Sequence, residues 1–292
     1  MTAVLLLAHG TPESLDEMPE YLTRVRGGRP PGPELLEEMR RNYAAIGGRS
    51  PLTDLTRAQA EALRAELGAG ARVYVGMRNW RPFIADALSA AAADGVTELV
   101  GLPMAPQYST LSVGKYEEAV RGATPPGLRV RFVSSWHDHP GLLAAFAEKV
   151  EEALRREPGA AVVFTAHSLP ERVVREGDPY PGQVARTAAE VARRAGVSGY
   201  RVAYQSAGRT PEPWLGPSLE EALQEMEREG AARVVVAPIG FVCDHTEILF
   251  DIDVAAAEAA RRRGIALTRT ASLNTSGTFI RALADIVRAA GG

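Results

Sequence analysis

The chain of 292 residues is long enough for about two domains of ~150 residues, and its 46% hydrophobic and 24% charged residues are ordinary for a globular protein. Lys+Arg 33 against Asp+Glu 36 leave a formal charge of −3, which excludes a global basic field that would recruit nucleic acid or anionic lipid. One cysteine, Cys243, excludes an intrachain disulfide, a four-cysteine zinc site and an all-cysteine iron–sulfur cluster within one chain, and fits a reducing cytoplasm.

The apolar start, residues 4–8, is too short for a signal-peptide core and lacks a basic flank, and no apolar run approaches the ~20 residues of a spanning helix. A cytoplasmic protein without stable membrane insertion is expected. Residues 4–8 open instead a series of short β-rich runs, continuing at 73–76, 99–102, 129–133, 162–166, 201–205, 234–237 and 266–270. The polar stretch 13–29 reads as an early loop, closing in the glycine-rich Arg24-Val25-Arg26-Gly27-Gly28-Arg29-Pro30. Between the β runs lie stretches of helical period at 54–67, 82–94, 142–156, 182–195 and 218–229, with a last helix at 278–290. Strands alternating with helices predict an α/β protein built on parallel sheets.

The chain also repeats itself. Ala8-His9-Gly10-Thr11-Pro12 recurs as Ala166-His167-Ser168-Leu169-Pro170, each straight after an apolar run. Gly95 to Pro103 and Gly230 to Pro238 are both spaced by eight residues: a glycine ends a helix, a strand follows, and proline opens the next loop. Residues 129–146 parallel 266–283, with Ser135 and Ser272 in corresponding places. The offsets are 158, 135 and 137, so order is kept while loop lengths drift. Two duplicated doubly wound domains are expected, 1–141 and 142–292, joined near 141–159. Each would be a four-stranded parallel sheet flanked by helices, with the last helix packing back on either one. Ligands in such sheets bind beyond the carboxyl ends of the strands. Both His loops and both Pro loops sit at such ends and would face one shared cleft, placing His9 opposite its pseudo-equivalent His167.

Several segments there bear chemistry. His167 is either a histidine bonded to a loop carbonyl or a metal ligand and proton acceptor, since imidazole titrates near neutrality and binds borderline metals. Cys243-Asp244-His245-Thr246-Glu247, continuing to Asp251 and Asp253, is a dense set of ligands and bases opening a helix. Glu247 and Asp251, four apart, would share a face; Asp253 would lie on another if the helix is regular. Asp244 also reads as a helix cap, which leaves His245 and Glu247 unexplained. His137-Asp138-His139 reads as a solvated loop and Cys243 as a buried filler. Tyr74, Trp80 and Phe83 read as core. Arg24, Arg26 and Arg29 are solvated charges or carboxylate forks.

These residues resemble the ferrochelatases, class II chelatases that insert ferrous iron into a porphyrin. The resemblance spans nearly the whole chain. It rests on Tyr43-Ala44-Ala45-Ile46-Gly47-Gly48-Arg49-Ser50-Pro51-Leu52, Ser109-Thr110-Leu111-Ser112-Val113, His167-Ser168-Leu169-Pro170, Tyr204-Gln205-Ser206, Pro213-Trp214-Leu215-Gly216-Pro217 and the segment 240–247. Gly177-Asp178-Pro179-Tyr180-Pro181-Gly182 and the string 206–214 look like the Gram-positive type, which uses coproporphyrin III; the polar early stretch agrees. The resemblance implies His167 and Glu247 as the catalytic pair and as metal ligands, with Asp251 an acidic position on a metal-approach helix. It implies Arg26, Ser50 and Tyr116 as substrate contacts, with Arg29 and His9 beside them. His9 stands where such relatives commonly carry Tyr, and Ala255 where they often carry Glu, which weighs against a secondary metal site. Iron is then substrate, with no resident cofactor or iron–sulfur cluster; the partners are the porphyrin and ferrous iron, and a monomer is expected. Rival readings are a protoporphyrin IX ferrochelatase, a cobalt or nickel chelatase of a sirohydrochlorin-like tetrapyrrole, and a non-catalytic binder.

Overall fold

β1 (Ala3–Ala8) consists of six apolar residues, all buried, as befits the centre of a sheet covered on both faces. With β2 (Arg72–Met77), β3 (Glu98–Pro103) and the edge strand β4 (Arg129–Phe132) it forms a four-stranded parallel sheet in the order β2-β1-β3-β4. β5 (Ala161–His167), β6 (Tyr200–Gln205), β7 (Arg233–Ala237) and β8 (Ala266–Arg269) form the second, in the order β6-β5-β7-β8. All eight strands expected from the sequence are present, with each end within one residue. The computed structural model describes residues 2–208 and 210–291, so Arg209, inside the string 206–214, lies outside the described residues.

The duplication extends to the register. The offsets of 158 and 135 carry the pair Leu5↔Gly101 onto Val163↔Val236, and that of 137 carries Leu99↔Val130 onto Val234↔Leu267. In both sheets the chain switches sides between the first strand and its two neighbours, which opens a crevice at that strand's carboxyl end. His9 and His167 emerge there.

Helices fill the crossovers. α1 (Met18–Val25), α2 (Pro33–Ala45) and α3 (Leu52–Leu67) follow β1; α4 (Ile84–Ala93), α5 (Val113–Ala123) and α6 (Pro140–Arg156) follow β2, β3 and β4. In the second half α7 (Glu171–Arg175) and α8 (Tyr180–Arg194) follow β5, and α9 (Leu219–Arg228) follows β6. Then come α10 (Thr246–Leu249), a π-helix (Asp251–Ala256) and α11 (Ala257–Arg262) after β7, and α12 (Gly277–Gly291) after β8. The start of α9 was legible: Ser218 accepts from the Glu221 amide at 3.2 Å while Glu221 accepts from the Ser218 amide at 2.7 Å, a capping box whose cap alone contributes about 1 kcal/mol.

Alternate strand residues feed different cores. Leu5 and Leu7 pack with Ile84 and Leu88 of α4 and Val120 of α5. Val4 and Leu6 point the other way, into a core that also takes Phe164 of β5, Leu142 of α6 and Leu283 of α12. The two sheets thus share one apolar layer. α12 docks into it, stacking Phe279 on Trp136 at 6.2 Å and passing Arg288 to the carbonyl of Glu66 in α3 at 3.1 Å. The expected boundary between 141 and 142 falls in the first turn of α6, inside this shared layer. Polar contacts also join the halves: buried Asp178 accepts from Ser109 Oγ at 3.0 Å and from the Thr110 amide at 2.8 Å.

Residues 13–29 are not a loop. A short 3-10 turn (Leu15–Glu17) leads into α1, whose Met18, Tyr21 and Leu22 recur at helical spacing and bury against Tyr43 of α2 and Trp80. Each such large side chain contributes about 1.5–3 kcal/mol by burial, enough to override the polar character of the stretch. Arg24 therefore sits in a helical turn, paired with Glu20 at 2.9 Å, and the glycine-rich segment begins only after the helix ends. Among the described residues, no helix is long and apolar enough to cross a membrane.

Candidate active site

The strand ends enclose a cavity of about 410 Å³ between the two sheets. His9, Arg78 and Tyr116 line it from the first half; His167, Tyr180, His245 and Glu247 line it from the second. Much of the remaining wall is apolar, including Met39, Leu52, Met104 and Leu111.

His167 is the last residue of β5. Its Nδ1–H donates to the Ser168 carbonyl, leaving Nε2 3.5 Å from Glu247 Oε1. Glu247 is brought there by a tight fit: a Cβ on Gly240 would lie 2.8 Å from the Ala166 Cα, so only glycine lets the chain leaving β7 run against the end of β5. Gln205, ending β6, donates to the Glu247 carbonyl at 2.7 Å and braces the turn from the other side. The side chains of His167 and Glu247 remain 34% and 42% exposed, open to the cavity. Burial disfavours the imidazolium of His167, but the Glu247 carboxylate outweighs it and lifts the pKa to about 9. Burial likewise opposes the Glu247 carboxylate, and the His167 charge outweighs that, bringing it down to about 2. At neutral pH the pair is an imidazolium–carboxylate.

His9 faces the same cavity with the opposite electrostatics. Burial and then the nearby Arg78 cation lower its pKa to about 4, so its ring is neutral at pH 7. Asn79 Nδ2 stands 3.1 Å from His9 Nε2, and the Tyr21 ring meets it edge-on at 6.3 Å.

The helix start after β7 differs from the expected one. The cap of α10 is His245, whose Nδ1 accepts from the Glu247 amide at 3.1 Å, and not Asp244. Asp244 is already taken: it accepts from Ser272 Oγ at 2.6 Å and Asn274 Nδ2 at 2.9 Å and pairs with Arg269 at 3.1 Å. The following turns are not regular either. The Ala255 amide bonds the Phe250 carbonyl at 2.9 Å, a five-residue step that widens the helix over Asp251–Ala256. Asp253 turns outward to Arg269, at 2.7 and 2.8 Å, while Asp251 accepts from Ser206 Oγ. Burial raises the Asp251 pKa to about 6, leaving it part-protonated near neutrality. Ser206 holds that bond from a left-handed backbone, φ 59°.

The other expected residues scatter. Tyr116 is buried on the cavity wall. Ser50 is buried two residues before the cavity-lining Leu52, whose amide it caps at 3.4 Å. Arg26 and Arg29 are exposed beyond the end of α1 and outside the cavity lining. His137 is bonded to Ser135 Oγ at 2.9 Å, and His139 caps α6 through Gly141 at 3.3 Å. Burial pushes the Cys243 thiol up to about 12. Arg78 and Tyr21 line the cavity without having been singled out in the sequence, and Tyr43 and Tyr180, which do so too, stood there only within longer strings. For Arg78 a signal existed: it directly follows β2, beside the strand that His9 directly follows, where the strand-end rule locates ligands. Among the described residues, no three His, Cys, Asp or Glu side chains form a cluster able to hold a metal ion.

The ferrochelatase family model matches residues 1–290. A ferrochelatase of Deinococcus radiodurans is 43% identical, over 97% of this chain and 94% of its own length. A coproporphyrin III ferrochelatase of Geobacillus kaustophilus is 39% identical, over 97% of this chain and 94% of its own. In fold, the chain is similar to the SirB structure from Bacillus subtilis with Fe3+, at a TM-score of 0.61 and 15% identity, covering 99% of this chain and 96% of that one.

Proposed function

The chain belongs to the ferrochelatase family, and from that premise we propose that it inserts Fe(II) into coproporphyrin III, releasing the two pyrrole protons and giving coprohaem. The observation that carries this reading is the placement of His167 with Glu247 on one wall of the cavity and His9 on the other.

Insertion needs four inward-pointing nitrogen lone pairs, and a planar macrocycle hides them from a metal approaching its face. A cleft that binds the rim tightly can spend that binding energy on bending the ring. A flat ligand between the sheets then presents one face to His9 and the other to His167. His9, neutral at pH 7, is ready to accept a pyrrole proton. His167 begins protonated, so its Nε2 accepts the second pyrrole proton or serves as a ligand only once its own proton has passed by way of Glu247, 3.5 Å away and open to the cavity, to solvent. Iron arriving at this pair favours the loss, because a metal ligand must be the neutral imidazole. Asp251, part-protonated and one helical segment further on, is a weaker stop on the same approach. Ser50 and Tyr116 contact the macrocycle edge, and Arg26 and Arg29 reach propionates at the cavity mouth. Iron enters as substrate and no resident cofactor is involved.

Coproporphyrin is preferred over protoporphyrin because the Geobacillus relative carries that name and because the exposed arginines beyond α1 suit a substrate with four propionates in place of two. The test is anaerobic Fe(II) insertion with coproporphyrin III and protoporphyrin IX in parallel. A higher kcat/KM with coproporphyrin III is expected; equal or reversed values overturn the substrate assignment.

A further inference from the structure

Among the described residues lining the cavity, Arg78 is the one arginine or lysine. Its backbone is fixed by the amide bond to the Ala8 carbonyl at 3.0 Å, which places it next to His9. Its guanidinium lies over the Tyr116 ring, 5.6 Å from the centroid, and this packing sets the plane of the fork. Its Nε is buried with no hydrogen-bond partner among the described residues. Buried donors in folded proteins are normally satisfied, and among the described residues no carboxylate forms an ion pair with this guanidinium, although its charge acts on the Glu118 carboxylate. The carboxylate that does enter the cavity, Glu247, belongs to the opposite wall and is matched with His167. The cavity therefore carries an imidazolium–carboxylate pair from the second half and one planar cation from the first.

We propose that Arg78 is a specificity-determining anchor that receives a carboxylate of the substrate inside the cleft, its terminal Nη–H groups donating to the two oxygens. The proposal rests on the coproporphyrin reading above. Protoporphyrin IX carries propionates along one edge only, and the exposed arginines beyond α1 stand outside the cavity. Coproporphyrin III also carries propionates where protoporphyrin IX has vinyl groups. An internal guanidinium distinguishes the two, because a vinyl group leaves its donor unpaired whereas a carboxylate satisfies it bidentately.

The experiment compares R78Q with the wild type on both porphyrins, measuring kcat/KM for Fe(II) insertion and the binding of each metal-free porphyrin by fluorescence quenching. The expected result is a loss of roughly 10- to 100-fold with coproporphyrin III, in kcat/KM and in affinity, well beyond any loss with protoporphyrin IX, so that the ratio between the two collapses. R78K keeps the charge but not the fork and should lower the ratio in the same direction, which carries the test if R78Q does not fold. Parallel losses with both porphyrins, or no change with either, overturn the anchor. A wild-type preference for protoporphyrin IX overturns the coproporphyrin reading instead, whatever R78Q does.

Discussion

His9 directly follows β1 and His167 ends the equivalent β5, yet at neutral pH the first is neutral and the second cationic. The difference is one neighbour each: Arg78 reinforces what burial does to His9, and Glu247 reverses what burial does to His167. In the folded protein His167 keeps its proton up to about 9, above the ordinary imidazole value of 6.5. The stabilisation from this proton is complete below 6.5 and is lost as pH climbs through about 9. In E247Q the opposing charge is gone and burial dominates, so the ring should titrate far lower, toward or below its ordinary value. NMR titration of the His167 ring in both proteins measures this. A variant that still titrates near the wild-type value would mean that Glu247 is not what holds the proton. The residue types at the site were legible, because histidine and carboxylate in strand-end loops are uncommon and chemically loaded. The charge states were not, since they depend on Arg78 and Glu247 reaching across from segments far away in the chain.

At the level of elements, the strands and the longer helices could be read because period and burial coincide: β1 is apolar throughout and α9 opens on its own capping box. The misread elements are those whose local sequence understates their partners. Residues 18–25 look polar, but Met18, Tyr21 and Leu22 have a buried face waiting in Tyr43 and Trp80. The segment after β7 looks like a regular capped helix, but Asp244 is drawn to Ser272, Asn274 and Arg269, so His245 caps and the helix widens. Gly240 is the hinge of this arrangement. In G240A the new Cβ meets Ala166 at 2.8 Å, and the loop must shift away from His167. The cost of such overpacking is about 1–3 kcal/mol, which for a chain of this size lowers Tm by several degrees, and insertion should fall with it. G182A, in α8, where a Cβ meets nothing within 4 Å, is the control and should leave Tm unchanged or slightly raised. Equal behaviour of the two variants in melting and turnover assays would remove the steric account of Gly240.

For the whole molecule, duplication decides the layout. Two sheets of one register, sharing the layer around α6 and α12, bring equivalent strand ends to a single cavity, so one histidine approaches from each side. If a flat ligand lies between them, H9A should change the absorption spectrum of the bound iron product and lower turnover by roughly 100- to 10,000-fold, the range of a lost acid–base group. An unchanged spectrum together with unchanged turnover would end the two-face arrangement. The sequence by itself determined the two copies and the positions of their strands along the chain, and it singled out His9, His167 and Glu247 as candidates, because these follow from periodicity, from self-similarity and from residue chemistry at strand ends. Only the tertiary structure decided which side chains share the cavity, which histidine is charged and which arginine stands inside. Burial, close approach and charge pairing are relations between segments distant in the chain, and no local pattern encodes them. The two-domain arithmetic thus becomes one site made from both copies, and the unremarkable net charge of −3 conceals one arginine among the described residues of its wall.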